Sequence, residues 1–247
     1  MTAAARATTL RALHRDRRPD DPLILPNVWD AASARVFADA GFPALATPSA
    51  GVAASLGYAD GETPADEMFA AIARIVRAVD VPVTADVEAG YGLSAKELVD
   101  RLAEAGAVGC NLEDTDHATG ALRDPGEQAA WLAAVRAEAG DALVINARID
   151  TFLRGDTGTA DALERARRYA EAGADCLYPI LAPPALLPEL AAGSPLPLNA
   201  LAMADGPTPR ELGTLGASRI TFGGGLQHGA MTALAAVAER LREGQAP

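Results

Sequence analysis

The chain is poor in residues that several catalytic and binding strategies need. Its 247 residues include two cysteines, and no apolar run approaches the roughly 18 to 20 residues that span a bilayer. Cys110 and Cys176 fall inside predicted strands, which favours small apolar core residues over a disulfide or a thiolate pair. Without a signal-peptide-like apolar core near its start, the chain is predicted to be cytoplasmic and to have no membrane partner.

Positive charge is also scarce. Lysine and arginine number 21 against 33 acidic residues, so the formal net charge is −12, and a nucleic acid or an anionic membrane would be repelled. Lys96 is the only lysine and falls in a predicted helix, which is a poor position for the amine of an imine-forming aldolase or a pyridoxal enzyme. Any carbanion would therefore need a metal ion for stabilisation.

Short apolar runs alternate with longer segments of helical periodicity, which is typical of βαβ units. The first 18 residues fit a short amphipathic helix better than a transit peptide, because Leu10 and Leu13 have helical spacing. With 49% hydrophobic residues, the chain predicts an α/β fold, a (β/α)8 TIM barrel with a short N-terminal helix, as one domain over residues 1–247. Eight strands are predicted, at residues 23–26, 44–47, 81–86, 108–113, 143–148, 176–180, 196–200 and 219–222.

An open doubly wound sheet is the alternative fold. The barrel is favoured because no glycine-rich dinucleotide fingerprint follows the first strand, and the glycine run 223–225 follows the last one. Four glycines between a helix and the next strand are predicted to be helix C-caps: Gly41, Gly106, Gly173 and Gly216.

Acidic residues gather at the predicted strand ends, which form the active-site mouth of a barrel. Asp86 and Glu88 end strand three in "TADVEAGYG", Glu113 ends strand four in "NLED", and Arg148 lies in "NARID" at the end of strand five. Crowded carboxylates repel one another unless a cation compensates, and oxygen ligands favour Mg²⁺, with Mn²⁺ as an alternative. The other interpretation is an ion-pair network in which Arg148 neutralises two acids.

Several further residues could reach the same mouth. Ser49 and Gly51 in "TPSAG" could present a hydroxyl and backbone N–H groups to an anion. Asp60 in "GYADGE" could act as a base or contact metal-bound water, and His117 lies in a long connection after strand four that could be a mobile lid. Asn199 on strand seven could contact substrate or simply satisfy the core.

The motifs "TPSAG", "GYADGE", "TADVEAGYG", "GCNLED" and "INARIDTF" resemble, in this order, those of the isocitrate lyase and phosphoenolpyruvate mutase superfamily. The resemblance implies a barrel that binds Mg²⁺ and a 2-oxo acid or its enolate, assembled as a homo-oligomer (dimer or tetramer) whose subunits often exchange the last helix.

The resemblance also implies residue roles. Asp86 would contact the metal directly, with Glu88 and Glu113 acting mostly through water. Asp60 would support the metal shell, and Arg148 would bind the second anionic group of the substrate. The substrate carboxylate would be held by Ser49, Ala50 and Gly51.

Departures from the superfamily patterns narrow the reaction. The Lys-Lys-Cys-Gly-His lid of isocitrate-cleaving lyases is absent, since the region after Gly92 reads "LSAKELVDRL". The lysine and asparagine that phosphonomutases carry after strand four are also missing. We therefore predict a Mg²⁺-dependent lyase or hydrolase that cleaves a C–C or C–P bond of a small 2-oxo acid, with His117 as the candidate acid. The alternatives are a phosphoenolpyruvate/phosphonopyruvate mutase and a non-catalytic 2-oxo acid binding relative.

Overall fold

The architecture, seen in a computed structural model that describes residues 2–246, is an alternation of parallel strands and helices. All eight predicted strands are present, several of them shorter than predicted. The strands are β1 Leu23–Ile24, β2 Leu45–Ala46, β3 Val83–Asp86, β4 Gly109–Glu113, β5 Val144–Ile149, β6 Cys176–Pro179, β7 Asn199–Leu201 and β8 Arg219–Thr221. The helices are α1 Ala3–Leu13, α2 Ala31–Asp39, α3 Ser49–Leu56, α4 Ala65–Arg77, α5 Ala95–Ala105, α6 Pro125–Ala139, α7 Ala160–Glu171, α8 Leu187–Gly193, α9 Pro209–Thr214 and α10 Gly225–Arg242.

The strands form two parallel sheets. One has the order β2-β3-β4-β5-β6 and the other β1-β8-β7. Single parallel bridges join the two sheets on both sides, from Asn27 to Ala46 and from Leu177 to Leu198. Because every strand pair is parallel, the carboxyl ends of all strands lie on the same side, where the acidic motifs were predicted to meet.

The helices pack apolar faces around the strands. In α4 the buried face includes Met68, Ile72 and Ile75, while acidic residues in the first turn and basic residues in the last complement the helix dipole. The four glycines predicted as helix C-caps all have positive φ, as a left-handed cap requires. Both cysteines are buried and free, as predicted.

The N-terminal helix α1 packs against the amino ends of the strands, which confirms the helical interpretation of this segment. Its Leu10 lies so close to Gly109 that a Cβ there would be 2.9 Å from Leu10 Cδ2. Its C-cap residue His14 is buried, with Nδ1 2.7 Å from the Leu10 carbonyl oxygen and Nε2 3.3 Å from Nη1 of the fully buried Arg219. Burial lowers the pKa of His14 to about 4, so the ring is neutral beside the Arg219 guanidinium at neutral pH.

No helix among residues 2–246 is both long and apolar enough to cross a membrane. Lys96 is exposed on α5, where its Nζ lies 2.7 Å from Asp100. It is therefore on the outer surface, as the sequence predicted.

Candidate active site

The carboxylate of Asp86 is fixed at the end of β3. Its Oδ1 accepts a hydrogen bond from the Glu88 N–H at 3.2 Å, and its Oδ2 accepts one from Ser49 Oγ at 3.3 Å. Its own backbone N–H donates to Thr47 Oγ1 at 3.2 Å. Burial raises the pKa of Asp86 to about 6, although the nearby Arg148 charge acts in the opposite direction. The structure therefore holds a largely desolvated carboxylate that a cation would stabilise.

Glu88 follows Asp86 in an unusual backbone conformation. Its φ is +54°, a left-handed geometry that is rare outside glycine and is often found at functional sites. The side chain is 4% exposed, and its Oε1 has no hydrogen-bond partner within residues 2–246. Burial raises the pKa of Glu88 to about 7, with His117 opposing the shift and neighbouring acids adding to it.

His117 bridges two of these carboxylates from the connection after β4. Its Nε2 contacts Glu113 Oε1, and its Nδ1 lies 3.4 Å from Glu88 Oε2. The hydrogen bond to Glu113 raises the pKa of His117, and the charges of Glu113 and Glu88 add to the effect. The imidazolium form is therefore favoured, which suits a proton donor.

Arg148 stands opposite the acids on β5. Its Nη1 contacts Glu113, while its Nε and Nη2 lie 2.7 and 3.2 Å from the two carboxylate oxygens of Asp150. Two carboxylates thus share its charge, as in the ion-pair interpretation of the sequence. The role of Arg148 in binding substrate remains a prediction.

Asp150 was missed in the sequence, although the period of two along "NARID" places it on the same face as Arg148. It is fully buried and accepts a hydrogen bond from Thr115 Oγ1 at 2.6 Å. Its backbone N–H donates to Asp114, which is in turn held by Arg165. These hydrogen bonds fix the position of Asp150, and Asp150 in turn fixes the Arg148 guanidinium.

These side chains surround a cavity of about 250 Å³. Asp60 lines it from the connection between α3 and α4, as predicted, whereas Asp86 is not among the lining residues and is hydrogen-bonded to two of them, Ser49 and Glu88. The lining residues are Ser49, Asp60, Gly61, Glu88, Glu113, Thr115, His117, Gly120, Arg148, Asp150, Leu153 and Arg154.

The segment Ser49, Ala50 and Gly51 forms the first turn of α3. Backbone N–H groups in a first helical turn lack intrahelical acceptors, and they therefore favour an anion. Gly51 fits because a Cβ there would lie 2.8 Å from Pro48 Cγ and 3.3 Å from Gln227 Cβ. The local geometry is therefore compatible with carboxylate binding beside Ser49.

Asn199 is placed elsewhere. It is fully buried in the sheet interior, paired in register with Arg219, and its Oδ1 accepts a hydrogen bond from Thr221 at 3.1 Å. It does not line the acidic cavity. The contact between Asn199 and substrate remains a prediction, and the buried position of Asn199 away from the acidic cavity does not favour it.

Two larger cavities, of about 520 and 510 Å³, lie at the ends of β6, β7 and β8. They share Leu201, Met203 and Pro207, and Asp205 is the only acid or base that lines either of them. The acid and base groups belong to the smaller cavity, so the chemistry is assigned there.

Whether the acidic residues fit a metal ion depends on which oxygen atoms they offer and how these atoms are arranged. Across residues 2–246, no group of three or more histidine, cysteine or acidic side chains is arranged to hold a metal ion directly. The unpartnered Oε1 of Glu88 and the partly buried carboxylate of Asp86 nevertheless supply hard oxygen donors. Because Mg²⁺ keeps several of its waters, one direct carboxylate with water-mediated partners fits these residues.

Comparisons with known proteins agree with the fold and the motifs. A family model described as phosphoenolpyruvate phosphomutase matches residues 10–242. An uncharacterised protein of Mycobacterium tuberculosis strain H37Rv is 33% identical over 226 residues, which is 91% of this chain and 86% of that protein.

Two solved structures extend the comparison. A protein of Burkholderia cenocepacia J2315, provisionally described as a phosphonomutase, is 44% identical with a TM-score of 0.88, over 97% of this chain and 99% of that one. Phosphonopyruvate hydrolase, solved as a complex with oxalate and Mg²⁺, has a TM-score of 0.86, and the match covers 97% of this chain and 88% of the hydrolase chain. The two sequences are 23% identical, so this likeness shows the fold alone. The superfamily resemblance drawn from the motifs is thus confirmed, and the chain belongs to the phosphoenolpyruvate phosphomutase family, within the isocitrate lyase and phosphoenolpyruvate mutase superfamily of enzymes.

Proposed function

We propose that the protein is a Mg²⁺-dependent lyase or hydrolase that cleaves a C–C or C–P bond of a small 2-oxo acid. One observation carries the proposal. One cavity is lined by Ser49, Glu88, Glu113, His117 and Arg148, and the Asp86 carboxylate accepts hydrogen bonds from Ser49 Oγ and the Glu88 N–H. Within an enzyme superfamily, this combination of acids, an anion-binding helix start and a proton donor supports enolate chemistry.

The metal would be held by Asp86 directly and by Glu88 and Glu113 through water, with Asp60 at the edge of the shell. When bound, Mg²⁺, or Mn²⁺ in its place, would stabilise the negative charge that bond cleavage leaves on the keto oxygen of the substrate. Phosphonopyruvate hydrolase, which shares the fold, was solved as a complex with oxalate and Mg²⁺, and this supports the choice of Mg²⁺ without assigning any residue of this chain.

The other residues would bind substrate and move protons. The first turn of α3, at Ser49 to Gly51, would hold the substrate carboxylate. Arg148, fixed by Asp150, would contribute positive charge to the same cavity. His117 would donate a proton from one ring nitrogen after releasing its contact with Glu88 or Glu113.

A mutase is the second candidate function. It is favoured by the family model, described as phosphoenolpyruvate phosphomutase, and by the 44% identity to the Burkholderia protein. The connection after β4 lacks the lysine and asparagine of phosphonomutases, which is why cleavage is proposed first. A non-catalytic 2-oxo acid binding relative is the alternative from another class.

Turnover of a 2-oxo acid panel with Mg²⁺ tests the proposal. Oxaloacetate and phosphonopyruvate are incubated with the wild type, and with Asp86→Asn as the matched inactive variant, and products are followed by proton and phosphorus NMR. Metal-dependent cleavage that Asp86→Asn abolishes supports the proposal. Formation of phosphoenolpyruvate from phosphonopyruvate favours the mutase, and binding without turnover favours the non-catalytic relative.

We also infer that the eight strands close into a barrel. The supporting observations are the single bridges Asn27–Ala46 and Leu177–Leu198, which connect the two sheets at both junctions. Closure brings β2, β3, β4 and β5 around one mouth, as the proposed reaction requires.

A homo-oligomer, either a dimer or a tetramer, is the final part of the proposal. Helix α10 extends over Gly225–Arg242, and none of its residues is buried. Met231, Leu234 and Leu241 are 42%, 57% and 54% exposed on it. An unburied 18-residue helix with apolar side chains is typical of a subunit interface, which supports exchange of this helix between subunits.

A further inference from the structure

The positively charged side chains that line the acidic cavity differ in how much of their charge is already compensated by carboxylates. Arg148 is 13% exposed at its side chain, and its charge is compensated by Glu113 and Asp150. His117 is likewise engaged by Glu113 and Glu88. Neither group can attract a further anion strongly, because each already faces two carboxylates.

Arg154 differs from both. The chain turns back after β5, so that the Arg154 N–H donates to the Asp150 carbonyl at 3.0 Å and the residue lines the cavity. Its side-chain Nε donates to Thr115 Oγ1 at 3.4 Å. Within residues 2–246, no carboxylate oxygen lies within 4.0 Å of its guanidinium nitrogens, and the residue is exposed.

A substrate with two anionic groups needs such a cation. Asp60, Glu88, Glu113 and Asp150 all line the cavity, and they repel any anion that is not paired with positive charge. In the proposed function, the helix start at Ser49 and a bound metal would serve the 2-oxo acid end of the substrate. Arg154 lines the same cavity, and its planar guanidinium can donate two parallel hydrogen bonds to a carboxylate or a phosphonate.

We propose that Arg154 is a specificity-determining residue that binds the second anionic group of the substrate at the mouth of the cavity. This inference rests on the proposed function. It assigns to Arg154 the contact that the superfamily resemblance gave to Arg148, and it leaves Arg148 to hold Glu113 and Asp150 in place.

Calorimetry with saturating Mg²⁺ tests the assignment. Oxalate mimics only the 2-oxo acid end, whereas 3,3-difluorooxaloacetate adds a far carboxylate and phosphonopyruvate adds a far phosphonate. In Arg154→Gln, the Kd for the two longer ligands should rise about 10- to 100-fold, the range for losing a charged hydrogen-bonding pair. The Kd for oxalate should change less than about 2-fold, because oxalate makes no contact with Arg154 in this account.

Two further variants complete the experiment. Arg154→Lys keeps the charge and loses the planar fork, and it should give an intermediate Kd. Arg35→Gln removes an exposed arginine on α2, away from the cavity, and should leave all three Kd values unchanged.

Each outcome has a distinct meaning. Equal weakening of oxalate and the longer ligands in Arg154→Gln would show a general charge effect and overturn the assignment, as would unchanged binding of the longer ligands. Failure of oxalate to bind the wild type with Mg²⁺ would overturn the proposed function, and this assignment with it. A larger effect on one long ligand than on the other identifies the far group as carboxylate or phosphonate.

Discussion

Replacement of Asp86 by asparagine should make the metal-free protein more stable at neutral pH, although it removes a residue of the candidate site. Burial raises the pKa of Asp86 from 3.8 to about 6, so the folded protein binds this proton more tightly than the unfolded chain does. The ionised carboxylate therefore costs stability above pH 6. Below about pH 3 it is protonated in both states and costs none.

The size of the effect follows from the same pKa values. A rise from 3.8 to about 6 corresponds to about 3 kcal/mol. Asparagine can keep the contacts with the Glu88 N–H and Ser49 Oγ, since its amide has one acceptor and one donor group. For a chain of this length, about 3 kcal/mol corresponds to an increase in Tm of about 6 to 12 °C.

Urea unfolding in EDTA between pH 4 and 8 measures this difference. The variant should exceed the wild type by about 3 kcal/mol at pH 8, and the difference should fall to about 0.5 kcal/mol at pH 4. Asp39→Asn, an exposed position on α2, serves as the control and should show little change. A variant that is less stable than the wild type at pH 8, or a difference that does not depend on pH, would refute the electrostatic reasoning.

Three further predictions address other parts of the molecule. Burial lowers the pKa of His14 from 6.5 to about 4. The free energy of unfolding of the wild type relative to His14→Gln should therefore fall by about 3 kcal/mol as the pH drops from 7 to 4. Parallel pH profiles of the two proteins would contradict this. In Gly51→Ala, the new Cβ would lie 2.8 Å from Pro48 Cγ and displace the first turn of α3. Calorimetry should therefore show Mg²⁺-dependent oxalate binding weakened on the order of 10-fold. Unchanged affinity would exclude this turn from the binding site. Leu234→Glu on α10 should shift the protein to a smaller assembly in analytical ultracentrifugation, and an unchanged sedimentation coefficient would count against α10 as an interface.

The sequence predicted the strands well because each combines a short apolar run with a turn signal. It also predicted that Glu88, Glu113 and Arg148 lie around one cavity with Asp86 beside Glu88, because parallel strands bring their carboxyl ends together. The left-handed backbone at Glu88 was not predictable from strand periodicity, since β3 ends at Asp86 and the side chain reaches the cavity from beyond the strand.

The loop conformation that brings Arg154 to the cavity and the depth of Asn199 within the sheet could not be predicted from the sequence. Arg154 reaches the cavity only because the chain turns back after β5, and no periodic pattern records that turn. Strand membership alone does not give the depth at which the Asn199 side chain lies in the sheet, so its contact with substrate remains a prediction. Its register with Arg219 places it in the buried interior.

The central claim is that the Asp86 cluster binds a divalent cation together with the 2-oxo acid end of a substrate. Its most direct test is calorimetric titration of oxalate into the wild type with Mg²⁺, into the wild type with EDTA, and into Asp86→Asn with Mg²⁺. We expect binding in the first titration, with loss of at least about 100-fold in affinity in the other two. Oxalate binding that is equally tight without Mg²⁺, or equally tight in Asp86→Asn, would contradict the account.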